Sequence, residues 1–373
     1  MLPTPATPFG FRHIILQPTT RCNLNCAYCY LPDRAQKSEM SVEIADSVAA
    51  SLTDVTHEVR LLWHGGEPLS CGLKKFRQLL SSFQNLHTSG RLRHSLQTNA
   101  TLITQDWCEL FKEFNIDIGV SIDGSEQQNA NRVTWSKRAA YPNILRGMEL
   151  LHSYGIKFGI IAVVSARNID DPEAFYEFFL NIGCTSLNIN IEEREGLNQT
   201  AKDLEFQKVK NFWKRLFAAW RSQPTMGIRE FDNALGWMDG ICNSFEGPVE
   251  RGPKDMWPTV AFNGDVVVVS PEFMSADADE RNKFVIGNVL KTPLPEIVLK
   301  SGDAWYVREF LDGIHECSQS CAYYSYCGGG QASNKYFETG KLNVTETSHC
   351  KNTRQSVLDA VMESLVKTPH AVL

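Results

Sequence analysis

The chain has 373 residues, of which 43% are hydrophobic, and a formal net charge of -6. This length fits two domains or one large barrel with an appendage, and the acidic balance argues against a general nucleic-acid binder, which usually has a basic face. No run of about 18 apolar residues occurs, so we expect no membrane span. The N-terminal residues lack the basic start and apolar stretch of a signal peptide, and we therefore expect a cytoplasmic protein.

Short apolar runs alternate with amphipathic stretches over roughly the first 220 residues. The predicted strands are RHIILQP, EVRLLWH, RHSLQTN, IDIGVSID, KFGIIAVVS and TSLNINIE. The predicted helices are SVEIADSVAASL, LKKFRQLLSSFQNL, TQDWCELFKEF, YPNILRGMELLHSYG, DDPEAFYEFFLNIG and AKDLEFQKVKNFWKRLFAAW. Ser41 and Asp171 are candidate N-caps, Pro172 suits a first helical position, and Gly155 and Gly183 are candidate helix stops.

Strict strand–helix alternation predicts a parallel sheet with helices outside it. Six such units are fewer than the eight of a closed barrel. A partial barrel and a doubly wound sheet both fit this pattern. In either case, ligands belong at the carboxyl ends of the strands.

The remaining third of the chain has a different character. Residues 223–258 show little periodicity and are interpreted as a connection. TVAFNGDVVVVS is predicted as a hairpin with a type I′ turn at Asn263-Gly264, and TRQSVLDAVMESLV as a closing helix. The predicted division is therefore a barrel domain at 1–222, the connection, and a small cysteine-bearing domain at 259–373.

Eleven cysteines in a cytosolic chain favour metal binding or chemistry over disulfides. The scattered ones are interpreted as small buried hydrophobic residues, because free cysteine is among the most buried residue types. The front group is Cys22, Cys26 and Cys29, the late group is Cys317, Cys321, Cys327 and Cys350, and the scattered group is Cys71, Cys108, Cys184 and Cys242.

The front group follows the first strand, where this architecture places its ligands. Thiolates suit zinc or iron–sulfur clusters, but a structural zinc needs four closed ligands. The first histidine after Cys29 is His57 and the next cysteine is Cys71, so the fourth ligand would have to come from a distant residue. A [4Fe–4S] cluster held by three cysteines leaves one iron open to a small molecule, so we favour the cluster over zinc.

The C-x3-C-x2-C spacing, with Tyr28 before the last cysteine and a strand before the first, resembles the radical S-adenosylmethionine superfamily. The resemblance implies a partial (β/α)6 TIM barrel. It also implies that the open iron binds the amino and carboxylate groups of S-adenosylmethionine. An electron from the cluster then cleaves the sulfonium, and the resulting 5′-deoxyadenosyl radical removes hydrogen from the substrate.

Four further stretches resemble the same superfamily at the expected strand ends: HGGEP, QTNAT, SIDG and NANRV. The resemblance implies a place beside the adenine for Tyr28, contact with the methionine amino group for the Gly-Gly-Glu, and contacts with the ribose and carboxylate for the others. A simple glycine turn and a solvated loop arginine are the alternatives for the first and last stretches. The implied cofactor-binding residues are Tyr28, Gly65, Gly66, Glu67, Gln97, Asn99, Ser121, Asp123 and Arg132.

The late cysteines supply four thiolates, enough for a closed zinc site or an auxiliary [4Fe–4S] cluster. CSQSCAYYSYCGGG resembles the SPASM domain, the auxiliary-cluster extension of radical enzymes that modify peptides. Here the first gap is three residues instead of two, Gln331 stands at the fourth cysteine position, and the preceding hairpin has no cysteine. All the missing ligands belong to one cluster, so we expect one auxiliary cluster and two [4Fe–4S] clusters in total.

CGGGQASNKYFETGKLNVTETSHCKNTRQ and NINIEEREGLNQT resemble the three-residue cyclophane-forming maturases of the GrrM type. That resemblance implies a precursor peptide as substrate and a bond between an aromatic ring carbon and the Cβ of a residue two positions on. The reaction is a net two-electron oxidation, for which an auxiliary cluster is a reasonable acceptor. It also implies a reducing partner such as flavodoxin or ferredoxin.

Glu192 and Glu193 follow the sixth predicted strand and are candidate catalytic residues, either as base for the ring proton or as peptide contacts. Surface carboxylates at a helix start are the alternative. The first strand begins near residue 12, so we expect no fused leader-binding domain. Other functions left open are thioether formation, sulfatase-type Cys or Ser oxidation, radical chemistry on a small molecule, and a zinc-stabilised binding protein.

Overall fold

The structure is a computed structural model that describes residues 10–199, 201, 204–243, 256–275 and 283–366. Within these residues, one mixed sheet contains ten strands in the order β10-β9-β8-β1-β2-β3-β4-β5-β6-β7. Strands β1 to β10 are His13–Leu16, Val59–Trp63, Leu92–Thr98, Asp117–Ser121, Phe158–Val164, Ser186–Ile191, Gly227–Ile228, Thr259–Val260, Asp265–Val267 and Gly287–Asn288.

Helices cover the outside of this sheet and form most of the C-terminal part. Helices α1 to α8 are Val42–Ser51, Leu73–Ser81, Gln84–Thr88, Gln105–Glu113, Tyr141–Ser153, Pro172–Ile182, Phe206–Ser222 and Arg229–Asn243. Helices α9 to α14 are Leu294–Leu299, Trp305–Ser320, Tyr324–Cys327, Ala332–Thr339, Ser348–Cys350 and Ser356–Val366. None of these described helices is long and apolar enough to cross a membrane.

Strands β1 to β6 lie side by side in chain order and are all parallel. A doubly wound sheet would reverse its strand order at a switch point. The sequential order therefore selects the partial (β/α)6 barrel and confirms the predicted fold class.

The alternation along the strands explains how the barrel is built. In β5, Phe158, Ile160 and Val164 are buried under the helices, whereas Gly159 and Ile161 are half-buried and line the interior of the barrel. Because side chains alternate between the two faces of a strand, one apolar set packs against the helices and the other faces the interior. All these strands end at the same rim, so the loops that follow them converge there.

The predicted helix ends are confirmed. The side chains of Ser41 and Asp171 each accept a hydrogen bond from the backbone amide three residues on, at 3.3 and 3.1 Å. Pro172 is the first residue of α6. Gly155 and Gly183 follow α5 and α6 with φ of +66° and +73°, the left-handed conformation that glycine adopts without strain.

The segment predicted as an irregular connection contains β7 and the 15-residue helix α8. Phe231 and Ala234 are fully buried on α8, and the helix contacts β6 and α14. Gly236 and Gly240 interrupt the apolar periodicity, which is why the sequence did not predict this helix. Residues 244–255 of the predicted connection lie outside the described residues.

The predicted hairpin is confirmed, but its predicted turn type is wrong. Ala261 N donates to Asp265 O at 2.9 Å, so the loop between the two strands contains three residues and not two. Gly264 has φ of +87°, whereas Asn263 has no positive φ, as a type I′ turn would require at both central residues. The first hairpin strand also pairs in parallel with β1, so the hairpin extends the barrel sheet.

The closing helix α14 joins the C-terminal part to the barrel. Lys210 on α7 forms ion pairs with Asp359 at 3.1 Å and Glu363 at 2.8 Å. Trp213, also on α7, donates from Nε1 to the carbonyl of Asn352 at 2.8 Å. These contacts fix the late cysteine segment relative to the strand ends.

Candidate functional site

The three front cysteines lie in the loop after β1, at the carboxyl rim of the barrel. Hydrogen bonds hold this loop in place: Cys22 N donates to Arg34 O at 2.9 Å, and Trp135 Nε1 donates to Cys22 O at 2.9 Å. Ala27 N donates to Asn131 O at 2.9 Å. The loop after β4 therefore supports the loop that carries the cysteines.

The front thiols share one environment. Burial raises the pKa of Cys22, and the nearby thiols of Cys26 and Cys29 add to that shift. Burial also raises the pKa of Cys26 to about 11, against the opposing effect of Arg132. Such thiols stay protonated at neutral pH until a positively charged group binds them as thiolates.

The number of thiols in the front loop favours one kind of metal site. A structural zinc needs four closed ligands, and this loop supplies three cysteines, all of them free. A [4Fe–4S] cluster is held by cysteine thiolates, and one held by three of them leaves an iron open to a small molecule. The front cysteines therefore fit a cluster better than they fit zinc.

Gly65 and Gly66 let the HGGEP loop pass close to the cysteine loop. Gly66 has φ of +58°, and a Cβ there would lie 2.5 Å from Arg21 O and 2.7 Å from Thr20 O. Gly65 has φ of +96°, and its Cβ would lie 2.8 Å from the side chain of Gln17. Both positions therefore require glycine because a side chain would collide with the start of the cysteine loop. A simple glycine turn would not involve this contact.

Glu67 is 1% exposed, and three protein groups already donate to its carboxylate. Asn99 N donates to Oε2 at 2.7 Å, while Thr98 Oγ1 and Leu69 N donate to Oε1 at 2.7 and 3.1 Å. Burial raises the pKa of Glu67 to about 7, and these donors oppose the rise. Glu67 therefore joins the loop after β2 to the end of β3, a structural task that the motif alone did not predict.

The predicted cofactor-binding residues at the ends of β3 and β4 make two separate sets of contacts. The side chain of Asn99 reaches the cysteine loop, where Nδ2 lies 2.9 Å from Asn23 Oδ1 and 3.9 Å from Cys22 Sγ. Gln97 Nε2 donates to Ser121 Oγ at 2.8 Å. Asn99 thus lies beside the predicted cluster ligands, whereas Gln97 and Ser121 face each other on adjacent strands.

Tyr28, Asp123 and Arg132 form a buried group beside Cys26. Asp123 accepts from Tyr28 Oη at 2.5 Å and forms an ion pair with Arg132 Nη2 at 2.9 Å. The Arg132 guanidinium lies 5.5 Å from the centroid of the Tyr28 ring. Arg132 is 6% exposed, so the alternative of a solvated loop arginine is wrong.

One atom of this group lacks a partner. Within the part of the chain that the structure describes, Arg132 Nε is buried and makes no hydrogen bond. An unpaired buried donor is costly, so such a donor indicates a missing acceptor. A carboxylate such as that of S-adenosylmethionine supplies one, and the three nearby thiols supply cluster ligands. The residues present therefore fit both groups.

The two candidate catalytic glutamates point to different neighbours. Glu192 is half-buried; burial raises its pKa, and the carboxylate of Asp123 adds to the rise. Glu193 Oε2 lies 2.8 Å from His349 Nδ1 and accepts from Asn334 Nδ2. Glu192 is thus close to the front site, and Glu193 contacts the C-terminal part.

All four late cysteines line one cavity. They come from α10, the residue after it, α11 and α13. Thr347 N donates to Cys350 Sγ at 3.5 Å, and Cys317 Sγ lies 3.4 Å from Thr345 O. Gly329 has φ of +94°, and a Cβ there would lie 2.8 Å from Ile314. The chain therefore turns tightly after Cys327 and closes the cavity.

The scattered cysteines lie apart from this cavity. Cys108 and Cys184 are buried, as predicted, whereas Cys71 is half-buried and Cys242 is exposed on α8. Gln331 occupies the position of the absent cysteine and precedes α12, where it lines the same cavity. Four thiols at one cavity match the expectation of a single auxiliary site.

Sequence reasoning missed two acidic side chains near the cysteine loop: Glu195, which is buried, and Glu272, which is half-buried. Burial raises the pKa of both carboxyl groups. Burial also raises the pKa of Tyr30, which follows Cys29, and the two carboxylates add to that rise. Gly196, with φ of +50°, lets this segment contact the Tyr30 carbonyl. The available signal was the acidic run EERE beside the glycine, which resembles an ordinary solvated loop.

Fold and donor set together define an enzyme that holds a thiolate-bound cofactor at the rim of a partial parallel barrel. Residues 16–179 match the model of the radical SAM superfamily. The chain is also 31% identical over 370 residues to an uncharacterized protein of Synechocystis sp., covering 94% of this chain and 91% of that protein. The chain belongs to the radical SAM superfamily, and its cofactors are S-adenosylmethionine and a [4Fe–4S] cluster.

Two further similarities extend beyond the barrel. The serine-type anaerobic sulfatase-maturating enzyme of Bacteroides thetaiotaomicron is 26% identical, with 85% of this chain and 81% of that enzyme covered. The solved structure of native anSMEcpe with bound AdoMet and Cp18Cys peptide has a TM-score of 0.76 at 20% identity, covering 95% and 98% of the two chains. At this identity the structural match shows a shared fold, which includes the C-terminal extension.

Proposed function

We propose that this chain is a radical SAM maturase that modifies a ribosomally made precursor peptide. The proposed product is a cyclophane, formed by a carbon–carbon bond between an aromatic ring and the Cβ of a residue two positions on. The resemblance of residues 317–350 to SPASM maturases supports this proposal. The similarity to anSMEcpe, which was solved with a peptide, supports the peptide as substrate class.

One observation carries the proposal: residues beside the second cysteine cavity contact the rim of the barrel directly. Glu193, at the end of β6, contacts His349 and Asn334 from the C-terminal part. His349 immediately precedes Cys350, one of the proposed ligands. A substrate at the rim would therefore lie between the two cysteine sites.

The proposed organisation follows from this arrangement. The barrel is assigned to 1–222, the connecting region to 223–258 and the SPASM-like domain to 259–373. Cys317, Cys321, Cys327 and Cys350 would hold one auxiliary [4Fe–4S] cluster. The proposed partners are the precursor peptide and a small reducing protein such as flavodoxin or ferredoxin.

The residues of the front site have separable tasks. When bound, S-adenosylmethionine and its cluster supply the one-electron chemistry that removes a hydrogen atom from an unactivated carbon. Cys22, Cys26 and Cys29 would hold the cluster. Arg132, aligned by Asp123, would bind the cofactor carboxylate through its unpaired Nε. The nine cofactor-binding assignments made from the sequence are retained as part of this proposal.

Glu192 is the proposed base for the ring proton. Burial raises its pKa, and a carboxyl group with a raised pKa is a stronger base when ionised. The carboxylate of Asp123 adds to this rise. Glu193 is assigned to contact with the peptide or to alignment of the rim, because His349 and Asn334 already engage its carboxylate.

Mass spectrometry of the peptide tests the proposal. The anaerobically reconstituted chain is incubated with S-adenosylmethionine, dithionite and a short aromatic-containing peptide encoded beside its gene. We expect the loss of two hydrogen atoms from the peptide and a block to fragmentation between the linked residues. Cleavage of S-adenosylmethionine with every such peptide unchanged would contradict a peptide-maturase function.

Two controls separate the competing peptide chemistries. The relative from Bacteroides thetaiotaomicron is a serine-type sulfatase-maturating enzyme, and oxidation of serine to an aldehyde also removes two hydrogens. An aldehyde-reactive hydroxylamine would label that product and leave a cyclophane unlabelled. A thioether would consume a cysteine thiol, whereas a cyclophane leaves all thiols open to alkylation.

A further inference from the structure

A buried lysine faces the second cysteine cavity. Lys335, on α12, is 3% exposed, and its Nζ makes no hydrogen bond within the described ranges. It lines the cavity together with the four late cysteines. Its Nζ lies 5.4 Å from the centroid of the Phe310 ring, an attractive position for an ammonium group.

The surrounding backbone makes room for this side chain. A Cβ on Gly313 would lie 2.9 Å from Lys335 Nζ, and one on Gly330 would lie 3.6 Å from its Cε. The lysine therefore passes between two glycine positions and ends among the cysteines. Lysine is almost never fully buried without a partner, so its position points to a negatively charged group in the cavity.

We propose that Lys335 places a fixed positive charge beside the auxiliary cluster and raises the reduction potential of that cluster. This inference rests on the auxiliary cluster assigned under the proposed function. Lys335 is a positioning residue in this role, because it acts on the cluster and not on the substrate.

The electrostatic reason is general. A four-iron core with four thiolates carries a charge of roughly -2 when oxidised and gains one electron on reduction. A buried cation stabilises the more negative state, because the low-dielectric interior screens it little. After ring attack the cross-linked peptide must lose one electron and one proton; a cluster held by the late cysteines would accept the electron, and a base would take the proton. A higher potential favours that electron transfer.

The surroundings of Lys335 are consistent with this assignment. Cys317, Cys327 and Cys350 line the same cavity as Lys335, and a cluster of net negative charge held by them would stabilise the ammonium form of the lysine. The charge itself is the feature to test, and an arginine preserves it.

The test measures the potential of the second cluster in isolation. A full-length chain with Cys22, Cys26 and Cys29 changed to Ala retains only the late cysteine site. This chain is titrated with dithionite and followed by electron paramagnetic resonance, with and without Lys335→Met or Lys335→Arg. Lys351→Met is the matched control, because Lys351 is exposed, pairs with Glu346 and follows Cys350 directly.

We expect Lys335→Met to lower the equilibrium constant for one-electron reduction about tenfold, which is 59 mV. Lys335→Arg and Lys351→Met should leave the potential near that of the parent. A Lys335→Met protein that loses its cluster while Lys335→Arg keeps it would also support a need for the charge.

Other outcomes overturn the inference. An unchanged potential in Lys335→Met, or the same shift in Lys335→Arg, would remove the electrostatic role. Loss of the cluster from both Lys335 variants would make the residue structural only. If the parent triple variant itself binds no cluster, the auxiliary-cluster proposal fails, and the inference about Lys335 fails with it.

Discussion

The two cysteine sites differ in how many thiolates they offer and in what surrounds them. The front site brings together three thiols and, nearby, a buried arginine whose Nε has no acceptor within the described ranges. The late site brings together four thiols and an enclosed ammonium group. A cluster with three thiolates has an open coordination position, which together with the unpaired arginine donor suits a bound small molecule. A cluster with four thiolates has no open position and suits electron transfer.

The sites also differ in how their ligands are held. The front cysteines lie within eight consecutive positions, on a loop supported by the loop after β4. The late cysteines extend from residue 317 to residue 350 and are brought together by short helices and a tight glycine turn. A change in the glycine turn after Cys327 should therefore disturb the late site alone. The front site depends instead on the loops at the rim of the barrel.

The largest expected effect comes from removing either whole cysteine set. The reconstituted parent should bind about eight irons, from two four-iron clusters. Replacing the front trio by Ala should remove about four irons and abolish S-adenosylmethionine cleavage. Replacing the late four by Ala should also remove about four irons but leave cleavage intact.

Iron analysis and chromatography of the cleavage products measure this prediction. About twelve irons in the parent would overturn the count of clusters. Cleavage that survives loss of the front trio would overturn the assignment of the front site. Four irons with one zinc would remove the redox role of the late site.

The next effect concerns the neighbouring glutamates, which contact different sites. Glu192→Gln should lower the rate of peptide modification at least about a hundredfold, because a general base typically contributes this much. Because burial raises its pKa, the ionised base is lost as the pH falls, and this loss begins at a higher pH than for an ordinary glutamate.

Glu193→Gln is the matched control, since its carboxylate contacts His349 and Asn334. It should retain the acidic limb of the pH–rate profile that Glu192→Gln abolishes. The same limb in both variants, with a normal rate for Glu192→Gln, would exclude Glu192 as the base.

Arg132 should contribute a smaller effect that is confined to the cofactor. Arg132→Lys keeps a positive charge near Asp123 but lacks the Nε donor, so S-adenosylmethionine affinity should fall by roughly 1.5–3 kcal/mol. Iron content should stay near that of the parent. Arg138→Lys, on the exposed part of the same loop, is the control and should bind normally.

Isothermal titration of the anaerobic holoprotein gives both affinities. Equal affinity in parent and Arg132→Lys would remove Arg132 from the cofactor site. A parallel loss in Arg138→Lys would point to a general disturbance of the loop.

The last comparison concerns stability at single glycines, where the expected difference between the two variants is only about 1–2 kcal/mol. Gly66→Ala meets carbonyl oxygens at 2.5 to 2.8 Å and a left-handed φ, so it should destabilise the barrel by about 2–3 kcal/mol. Gly340→Ala has a similar φ of +73° but nothing within 4 Å, so it should cost about 1 kcal/mol.

Urea unfolding of the apoproteins compares the two glycine variants. The difference between them isolates the contact of the HGGEP loop with the cysteine loop. Equal losses of stability would mean that the two loops move apart with little change in the free energy of unfolding.

Local patterns in the sequence predicted much of the front site. Cysteine spacing is a local property, because ligands on one loop need only short separations to meet. Strand–helix alternation fixed the parallel sheet for a similar reason, since each unit packs against the next along the chain. The caps at Ser41 and Asp171 also depend only on neighbours three residues away.

Only the tertiary structure decided which distant groups meet. The donation from Thr98 and Asn99 to Glu67, the hydrogen bond from Tyr28 to Asp123, and the contact of Glu193 with His349 all join different strand ends or domains. The entry of Lys335 into the late cavity likewise depends on glycines from two separate segments. Such contacts depend on how elements are placed in space, and a charged residue in a linear sequence looks the same whether it faces solvent or a buried cluster.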